Sequence, residues 1–466
     1  MKSKITFVAL LISALCFTAN AQVATWTGPD AGDWSTAANW STASTPLLAD
    51  SVSIPAGKTV TISENAGTIN RLSVSGKLIL TAAGVLVVDQ TVSPNGSPIV
   101  TLAGGEIQNN GSFTVKNSVA TASNTVLQFA ENAERDNLFT TSGTFTLDNT
   151  IGAYASTTGR GIGLNMVSPG RVSTFKMGGT MNINIKTGCC FIETNGGGNL
   201  TLDGTLVLGS SGDYKNLRFI KIQQGGSVTV AATADLTLYT GFVSGNGVIN
   251  MQSAGTTAPG STFNNFGKID IHGGSATTGY GLYFNPQAAG ALNTFNNAGT
   301  INLDGTFPLG FMYIGGNSTG VTTINNQSTG TLALFNADPA AQVIKTSGTS
   351  NALTFNNEGT LKVSSAAINL SSTVAVMNNT GNIIYNYIAG VNQLKEFKGK
   401  IFSNGNNLMI ESQENAQLII SDLTGRTIRT AELTVNMNSI DTNHLKGIYI
   451  ARILTAKGVY SQKISL

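Results

Sequence analysis

The residues best suited to chemistry in this sequence are one histidine and one aspartate, His272 and Asp304. Each stands nine residues after a phenylalanine, Phe263 or Phe295, within two segments of nearly the same sequence. If these segments stack as neighbouring coils, the imidazole and the carboxylate lie side by side on one face. Such a pair can orient a general base or contribute to a cation site. The alternative, which we favour, is that both are solvated polar residues that follow a strand.

The adjacent cysteines Cys189 and Cys190 are further candidates for reactive or metal-binding groups. A zinc site requires other cysteine or histidine ligands at suitable spacing, and the sequence has none. We therefore interpret the pair as small buried residues of a coil, with a strained vicinal disulfide as the alternative. The sequence does not decide whether the two sulfur atoms are bonded.

Two Leu-Asp-Gly segments, around Asp203 and Asp304, suggest a calcium site or a pair of catalytic carboxylates. Calcium needs six to eight oxygen ligands, and glycosidases need paired carboxylates at a set separation. Acidic residues number only 24 in 466 and rarely cluster, so we predict that both aspartates begin turns. No catalytic, cofactor-binding or metal site is predicted, and His272 with Asp304 is kept as the candidate pair.

His272 and Asp304 lie within a repeated sequence motif that predicts the fold. An apolar residue, two asparagines, a glycine and a short strand-like run recur with start-to-start spacings of 32, 29, 31 and 22 residues. The five copies begin at Phe263, Phe295, Ile324, Phe355 and Met377. A period in this range is typical of stacked copies of one small unit. Because helical periodicity is lacking, the pattern predicts an all-β chain that forms a right-handed parallel β-helix, or solenoid. Tandem β-sandwiches and a propeller are the alternatives.

Stacking also predicts which residues become neighbours. Alternate residues of a strand face opposite sides, so the apolar positions form two buried columns, and each side chain contributes roughly 1.5–3 kcal/mol. The columns are Phe263, Phe295, Ile324, Phe355, Met377 and Ile269, Ile301, Leu332, Leu361, Ile383. The paired asparagines are expected to lie above one another and to share amide hydrogen bonds. Asn and Gly are expected at the corners because they tolerate left-handed backbone.

Composition narrows the class of protein. Only 11% of the residues are charged, against about 25% in typical soluble domains. A chain with 41% apolar residues and 54 glycines does not fit disorder and suits a secreted all-β protein. A net charge of +2 without a basic stripe argues against a nucleic-acid partner.

Changes in amino-acid composition and in the repeat pattern divide the chain into four segments. We interpret residues 1–21 as a signal peptide, with Lys2 and Lys4 before an apolar run and a small-residue cleavage site. No later apolar run is long enough to cross a bilayer, so no transmembrane segment is predicted in the mature chain. Residues 22–60 are predicted to cap the solenoid, 61–394 to form its repeats, and 395–466 to form a small antiparallel β-sandwich.

The predicted cap holds all three tryptophans, Trp26, Trp34 and Trp40. A solenoid exposes a strand edge at its end, and bulky aromatic side chains can cover that edge. The alternative is that the three rings stack on sugars. Residues 34–40 and 50–62 resemble the opening of bacterial surface proteins that are built on parallel β-helices. The resemblance implies the same fold for the repeats that follow.

The final segment contains Asp-Leu-Thr-Gly-Arg at 422–426, Leu-Lys-Gly-Ile-Tyr at 445–449 and a terminal Lys-Ile-Ser-Leu. These pieces resemble the C-terminal sorting domain of the type IX secretion system. Such domains usually open with Asn-Pro, whereas Asn404 is followed here by Gly405. The resemblance implies recognition by the type IX machinery and export to the surface or surroundings of a Gram-negative bacterium. In that family the domain is generally removed, and the cargo is released or tethered to the surface.

The expected function is structural or adhesive, with polysaccharide or matrix as the partner, because no catalytic constellation stands out. Two alternatives remain open. The first is a polysaccharide lyase or glycoside hydrolase carried on the β-helix, and the second is a carbohydrate-binding module that acts for a partner enzyme. No cofactor is expected under any of these hypotheses.

Overall fold

The computed structural model describes residues 22–91, 98–119, 125–130, 132, 134–150, 160–165, 171–185, 190–195, 198–215, 217–241, 247–253, 260–274, 279–286, 290–305, 307, 312–314, 320–335, 344–346, 352–363, 368–369, 375–385, 400–404, 406–422, 426–455 and 458–466. The predicted signal peptide, residues 1–21, lies outside this set. The chain divides into two compact units, Met1–Tyr387 and Ile388–Leu466. The predicted boundary at 394/395 falls among residues outside the described set.

Among the described residues, the first unit contains 37 strands and one 3₁₀ helix, Ala37–Asn39. The strands are β1 Val23–Thr25, β2 Ala31–Asp33, β3 Ser51–Ile54, β4 Thr59–Ile62, β5 Asn65–Ile69, β6 Arg71–Val74, β7 Lys77–Leu80, β8 Val85–Gln90, β9 Val100–Ala103, β10 Glu106–Asn109, β11 Ser112–Asn117, β12 Thr125–Ala130, β13 Asn137–Thr141, β14 Thr144–Asn149, β15 Arg160–Asn165, β16 Val172–Met177, β17 Thr180–Ile185, β18 Cys190–Asn195, β19 Asn199–Leu208, β20 Arg218–Gln223, β21 Ser227–Val230, β22 Asp235–Thr240, β23 Gly247–Ser253, β24 Thr262–Asn265, β25 Lys268–Gly273, β26 Tyr280–Pro286, β27 Leu292–Asn297, β28 Thr300–Gly305, β29 Met312–Ile314, β30 Val321–Asn326, β31 Thr331–Leu334, β32 Ile344–Thr346, β33 Ala352–Asn357, β34 Thr360–Val363, β35 Ile368–Asn369, β36 Ala375–Asn379 and β37 Asn382–Tyr385.

Successive strands of this unit visit three parallel sheets in turn, so each coil has three sides. The first sheet has 13 strands, in the order β1-β3-β6-β9-β12-β15-β18-β20-β23-β26-β29-β32-β35. The second sheet runs β2-β4-β7-β10-β13-β16-β19-β21-β24-β27-β30-β33-β36. The third side comprises β5-β8-β11-β14-β17 and then β19-β22-β25-β28-β31-β34-β37. The parallel β-helix predicted from the repeat is therefore confirmed.

The core lies inside the coils and follows the predicted columns. Along most strands, half-buried and fully buried residues alternate, as in Lys77–Leu80 and Thr360–Val363. Phe263, Phe295, Ile324, Phe355 and Met377 occupy equivalent positions of paired strands in the second sheet. Ile269, Ile301, Leu332, Leu361 and Ile383 do the same in the third sheet. Both predicted columns are confirmed.

The second asparagine of each repeat forms a hydrogen-bonded ladder inside the core. This inner ladder consists of Asn265, Asn297, Asn326, Asn357 and Asn379. Each of the first four side chains donates from Nδ2 to Oδ1 of the next asparagine, at 2.6–2.8 Å. The same nitrogens donate to the backbone carbonyl of the first residue in the third-sheet strand of the next coil, at 3.1–3.4 Å. The first four side chains are 0% exposed. The predicted sharing of amide hydrogen bonds is confirmed.

The first asparagine of each repeat forms a second ladder on the outer surface. This outer ladder consists of Asn264, Asn296, Asn325, Asn356 and Asn378. Each later residue donates from Nδ2 to Oδ1 of the preceding one, at 2.8–2.9 Å. The outer ladder therefore donates toward the N-terminus of the solenoid, whereas the inner ladder donates toward the C-terminus. Side chains on the two faces of one strand thus hold the same stacking register.

The glycine of each repeat has a different physical role from the one that the sequence suggested. We expected left-handed backbone at Gly267, Gly299, Gly330, Gly359 and Gly381, but none of these has a positive φ. A Cβ atom built on any of them would lie 2.0–2.3 Å from a backbone carbonyl oxygen, usually of the preceding coil. The expected reason was wrong. Glycine is required because stacked corners approach too closely for any side chain.

The three tryptophans fill the N-terminal end of the core. Trp26, Trp34 and Trp40 are at most 2% exposed, and the ring of Trp40 meets those of Trp26 and Trp34 edge to face at 5.1 and 4.8 Å. Strands β1 and β2 lie at the ends of their sheets, paired with β3 and β4. Such burial leaves no ring face for a sugar, so the alternative of sugar stacking is wrong for these residues. The boundaries of the cap remain a prediction.

The second unit is a small antiparallel sandwich. Its strands are β38 Lys400–Asn404, β39 Asn407–Ser412, β40 Ala416–Ser421, β41 Thr427–Leu433, β42 Asn436–Asp441, β43 Ile448–Thr455 and β44 Gly458–Ser465. They form one sheet in the order β38-β39-β42 and another in the order β41-β40-β43-β44. Buried Leu408, Ile410, Leu418, Ile420 and Ile453 come from both sheets and form a separate core. The predicted antiparallel sandwich is confirmed.

Replacing Asn326 by alanine tests the inner ladder, because Asn326 accepts from Asn297 and donates to Asn357. We expect the free energy of unfolding to fall by about 2–6 kcal/mol, since two buried amides lose a partner at roughly 1–3 kcal/mol each. Asn325→Ala is the matched control, because it breaks two similar bonds at a half-buried site. Guanidinium unfolding followed by circular dichroism compares the two variants. Equal losses would show that burial of the ladder contributes nothing.

Candidate functional site

The outer side of the third sheet carries a grid of polar and aromatic side chains. Inward-facing Leu236, Ile269 and Ile301 anchor strands β22, β25 and β28 in the core, which turns the alternate residues toward solvent. Strand pairing places these outward residues in three rows across the coils. The rows are Asp235–Lys268–Thr300, Thr237–Asp270–Asn302 and Tyr239–His272–Asp304.

The first two rows are joined by an ion-pair network. Lys268 Nζ lies 3.2 Å from Asp235 Oδ1 and 2.7 Å from Asp270 Oδ2. Asn302 Nδ2 donates to Asp270 Oδ1 at 2.7 Å. These contacts raise the pKa of Lys268, chiefly through its hydrogen bond to Asp270 and against the effect of partial burial. The ammonium group is therefore firmly held in its charged form between two carboxylates.

The third row brings together the two residues that the sequence singled out. His272 and Asp304 are strand partners, and His272 Nδ1 lies 2.6 Å from Asp304 Oδ1. Both side chains are 27% exposed. Their predicted proximity is confirmed, although they lie 32 positions apart in sequence. A role in catalysis or in cation binding stays a prediction.

The contact with Asp304 determines the protonation of His272. Its hydrogen bond raises the pKa of the imidazole, while partial burial acts in the opposite direction. The negative charges of Asp304 and Asp270 add to the rise. A carboxylate can only accept a hydrogen bond, so Nδ1 carries a proton in both charge states. Nε2 therefore carries no proton and accepts hydrogen bonds when His272 is neutral, and it donates one when His272 is protonated.

Two tyrosines, Tyr239 of the row and its neighbour Tyr214, lie on the N-terminal side of His272. The ring of Tyr239 stacks on the His272 imidazole, with centroids 4.6 Å apart and planes 28° apart. Tyr214 meets Tyr239 edge to face at 5.9 Å and is 38% exposed. A Cβ atom on Gly274 would lie 2.8 Å from the Tyr214 ring, so this ring packs directly over bare backbone. Aromatic faces, an imidazole and a carboxylate thus share one exposed surface.

The sequence analysis missed both tyrosines, for different reasons. Tyr239 stands three residues after Leu236, as His272 does after Ile269 and Asp304 after Ile301, so the repeat register could have found it. Tyr214 belongs to the connection between β19 and β20, which has no counterpart in the repeat. No pattern in the sequence assigns that connection to this surface.

The other sequence candidates lie elsewhere. Cys190 is buried next to Arg218, with Nη1 4.0 Å from Sγ, and burial raises the pKa of its thiol. Its neighbour Cys189 lies outside the described residues, so the interpretation of the two cysteines as an unbonded pair stays a prediction. Asp203 accepts a hydrogen bond from Thr233, which lowers the pKa of its carboxyl against the effect of burial.

Both Leu-Asp-Gly segments end in a left-handed glycine, with φ of 86° at Gly204 and 98° at Gly305. Asp203 therefore precedes the corner between the second and third sheets, and Asp304 precedes the end of β28. Within the described part of the chain, no group of three or more His, Cys, Asp and Glu side chains is placed to hold a metal ion.

The C-terminal unit contains the motif residues in defined positions. Asp422 and Arg426 are bonded to each other, because Arg426 donates from its backbone N and from Nε to the Asp422 carboxylate at 3.0 and 3.1 Å. Gly447 has a φ of 123°, and its backbone exchanges hydrogen bonds with Leu466 at 2.9 and 3.0 Å. The final residue of the chain is thereby fixed at the start of β43.

Comparison with protein families assigns this unit. Residues 400–466 match the family model of the secretion system C-terminal sorting domain. These residues are a type IX sorting domain. Such a domain marks a protein for the type IX machinery and for the outer surface or surroundings of a Gram-negative bacterium. Searches among curated proteins and among solved structures gave no match.

Among the residues described above, no helix is long and apolar enough to span a bilayer. The departure from Asn-Pro at Asn404 does not disturb the domain, because Asn404 pairs with Asn407 across the β38–β39 hairpin.

Titration of His272 tests the geometry of the row. Replacing Asp304 by asparagine removes the negative charge, so we expect the pKa of His272 to fall toward its ordinary value of about 6.5. In the unmodified chain the raised folded-state pKa stabilises the fold fully below the unfolded value, and this contribution disappears as pH rises through the folded value. The imidazole resonances in an NMR titration report the shift. His444 serves as an internal control, and an unchanged His272 midpoint would contradict the pairing.

Deletion of residues 395–466 tests the sorting domain. We expect the truncated protein to accumulate in the periplasm, because the export address is missing. Immunoblots of periplasm, cell surface and medium measure the distribution. The reciprocal control fuses residues 395–466 to a periplasmic reporter protein, which should then reach the surface or the medium. Normal secretion of the truncated chain would refute the assignment of the export signal to this segment.

Proposed function

We propose that this protein is an exported structural or adhesive protein whose β-helix binds polysaccharide at the Tyr239–His272–Asp304 row. The main observation behind this proposal is the stack of Tyr239 on His272 on the outer side of the sheet. Asp304 Oδ1 lies 2.6 Å from His272 Nδ1 in the same row. Aromatic faces pack well against apolar C–H surfaces such as those of a sugar ring. The adjacent carboxylate and imidazole can bond its hydroxyl groups.

The rest of the body supports a structural role. Two asparagine ladders and the apolar columns tie each coil to the next over the repeated region. The strands of successive coils lie about 4.8 Å apart, so the row presents its three side chains at regular intervals along the solenoid. The sorting domain delivers this surface to the outside of the cell, where polysaccharides are found.

A polysaccharide-cleaving enzyme is the second candidate, and one observation favours it. Asp304 orients His272 through Nδ1 and leaves Nε2 as the basic nitrogen, which is the arrangement of a general base. Abstraction of a proton from a uronate also requires positive charge near the sugar carboxylate. Lys268, on the same strand as His272, is already bonded to Asp235 and Asp270. This pairing favours binding without cleavage.

A carbohydrate-binding module that serves a partner enzyme would use the same surface. It differs from the adhesive role in the identity of the second molecule, which would be an enzyme instead of a neighbouring cell or matrix. Co-purification of a glycan-degrading activity with the secreted chain would support that alternative.

Retention on immobilised polysaccharides tests the proposal, with the chain from residue 22 to 466. We expect Tyr239→Ala to weaken retention about tenfold, a loss of about 1.4 kcal/mol, because the stacking face disappears. Phe266→Ala is the matched control, since Phe266 is an aromatic residue of the surface (47% exposed) that lies outside the row. Release of new reducing ends or unsaturated products would favour the enzyme instead. Failure to bind any glycan of a broad panel would overturn the proposal.

A further inference from the structure

We infer that the Tyr239–His272–Asp304 row takes an uncharged pyranose ring and rejects uronate chains. The inference rests on the proposed function and adds the chemical class of the ligand. Three features of the described surface carry it: the aromatic corner at one end of the row, the excess of carboxylates around it, and the pairing of each of those carboxylates.

The aromatic corner provides two apolar walls. Tyr214 and Tyr239 meet at 75° between ring planes, with centroids 5.9 Å apart. Tyr239 is backed by His272, and Tyr214 by the bare backbone of Gly274. Two rings at this angle can cover one face and one edge of a sugar ring. Such contacts depend on C–H groups and not on a charged substituent.

The charges around the corner disfavour an anionic chain. Asp213, Asp235, Asp270 and Asp304 contribute four carboxylates to this part of the surface, against the ammonium groups of Lys215 and Lys268. The excess is two negative charges when His272 is neutral and one when it is protonated. A uronate carboxylate brought to the row would meet this field and would lose hydration, and both nearby ammonium groups are already bonded to aspartates.

The same carboxylates are not arranged for a cationic sugar either. Asp304 is bonded to His272, Asp235 and Asp270 to Lys268, and Asp213 to Lys215. A positively charged amino sugar would therefore meet carboxylates whose charge is already partly balanced by these partners. A carboxylate has about four acceptor positions, so Asp304 retains acceptors for neutral hydroxyl donors after bonding His272. The hydroxyl groups of an uncharged ring can bond to these acceptors without breaking any of the existing ion pairs.

Affinity electrophoresis of the chain from residue 22 to 466 tests the inference with three kinds of soluble probe. They are neutral glycans (a glucan, a mannan, a galactan and a xylan), polygalacturonate, and a polymer of glucosamine. We expect at least one neutral glycan to bind at least about tenfold more tightly than either charged polymer. Preference for polygalacturonate or for the glucosamine polymer would overturn the inference and leave the proposed function intact. Absence of binding to every probe would overturn the proposed function as well.

A charge variant separates selectivity from simple weakening. Asp235→Asn removes one carboxylate and releases Lys268 from one of its partners. We expect binding of polygalacturonate to improve about threefold at low salt, with binding of the neutral glycan unchanged. Asp30→Asn is the matched control, because Asp30 also pairs with a lysine, Lys58, but at the N-terminal end of the solenoid. Equal gains in the two variants, or no gain in Asp235→Asn, would overturn the inference.

Discussion

The stacking register of this β-helix depends on amide groups that are buried inside it. A side-chain amide without a partner in a dry core costs roughly 1–3 kcal/mol, so each inner-ladder asparagine must meet another one on the next coil. A coil displaced by one residue would turn its asparagines to the wrong faces and would leave these groups unbonded. Apolar columns alone tolerate such slips more easily, because any aliphatic neighbour serves. The ladder thus contributes specificity where the hydrophobic columns contribute most of the stability.

The same register builds the outer surface. His272 and Asp304 are strand partners because Phe263 and Phe295 are, and the inner ladder fixes that pairing through Asn265 and Asn297. The positions of the residues in a surface site on a solenoid are therefore fixed by the packing of the core beneath it. This relation explains how two residues far apart in sequence reach hydrogen-bond distance without a dedicated loop. It also explains why the row runs across successive coils of a single sheet.

The sorting domain follows a different physical plan. Its antiparallel sheets close around a core of their own, and hairpins such as β38–β39 set the register locally. The core of this small unit consists of residues of the unit itself. The body, in contrast, depends on contacts between residues about thirty positions apart in sequence, so its stability grows by the addition of coils.

The sequence by itself determined the β-helix, the two apolar columns, the asparagine ladders, the proximity of His272 and Asp304, and the C-terminal sorting domain. It could do so because a constant repeat converts a position in sequence directly into a position on the stack. The tertiary structure was needed to show that the repeat glycines are required by close contacts between corners and that Tyr214 packs against the row. Those features depend on distances between coils and on connections outside the repeat, and no periodicity encodes either of them.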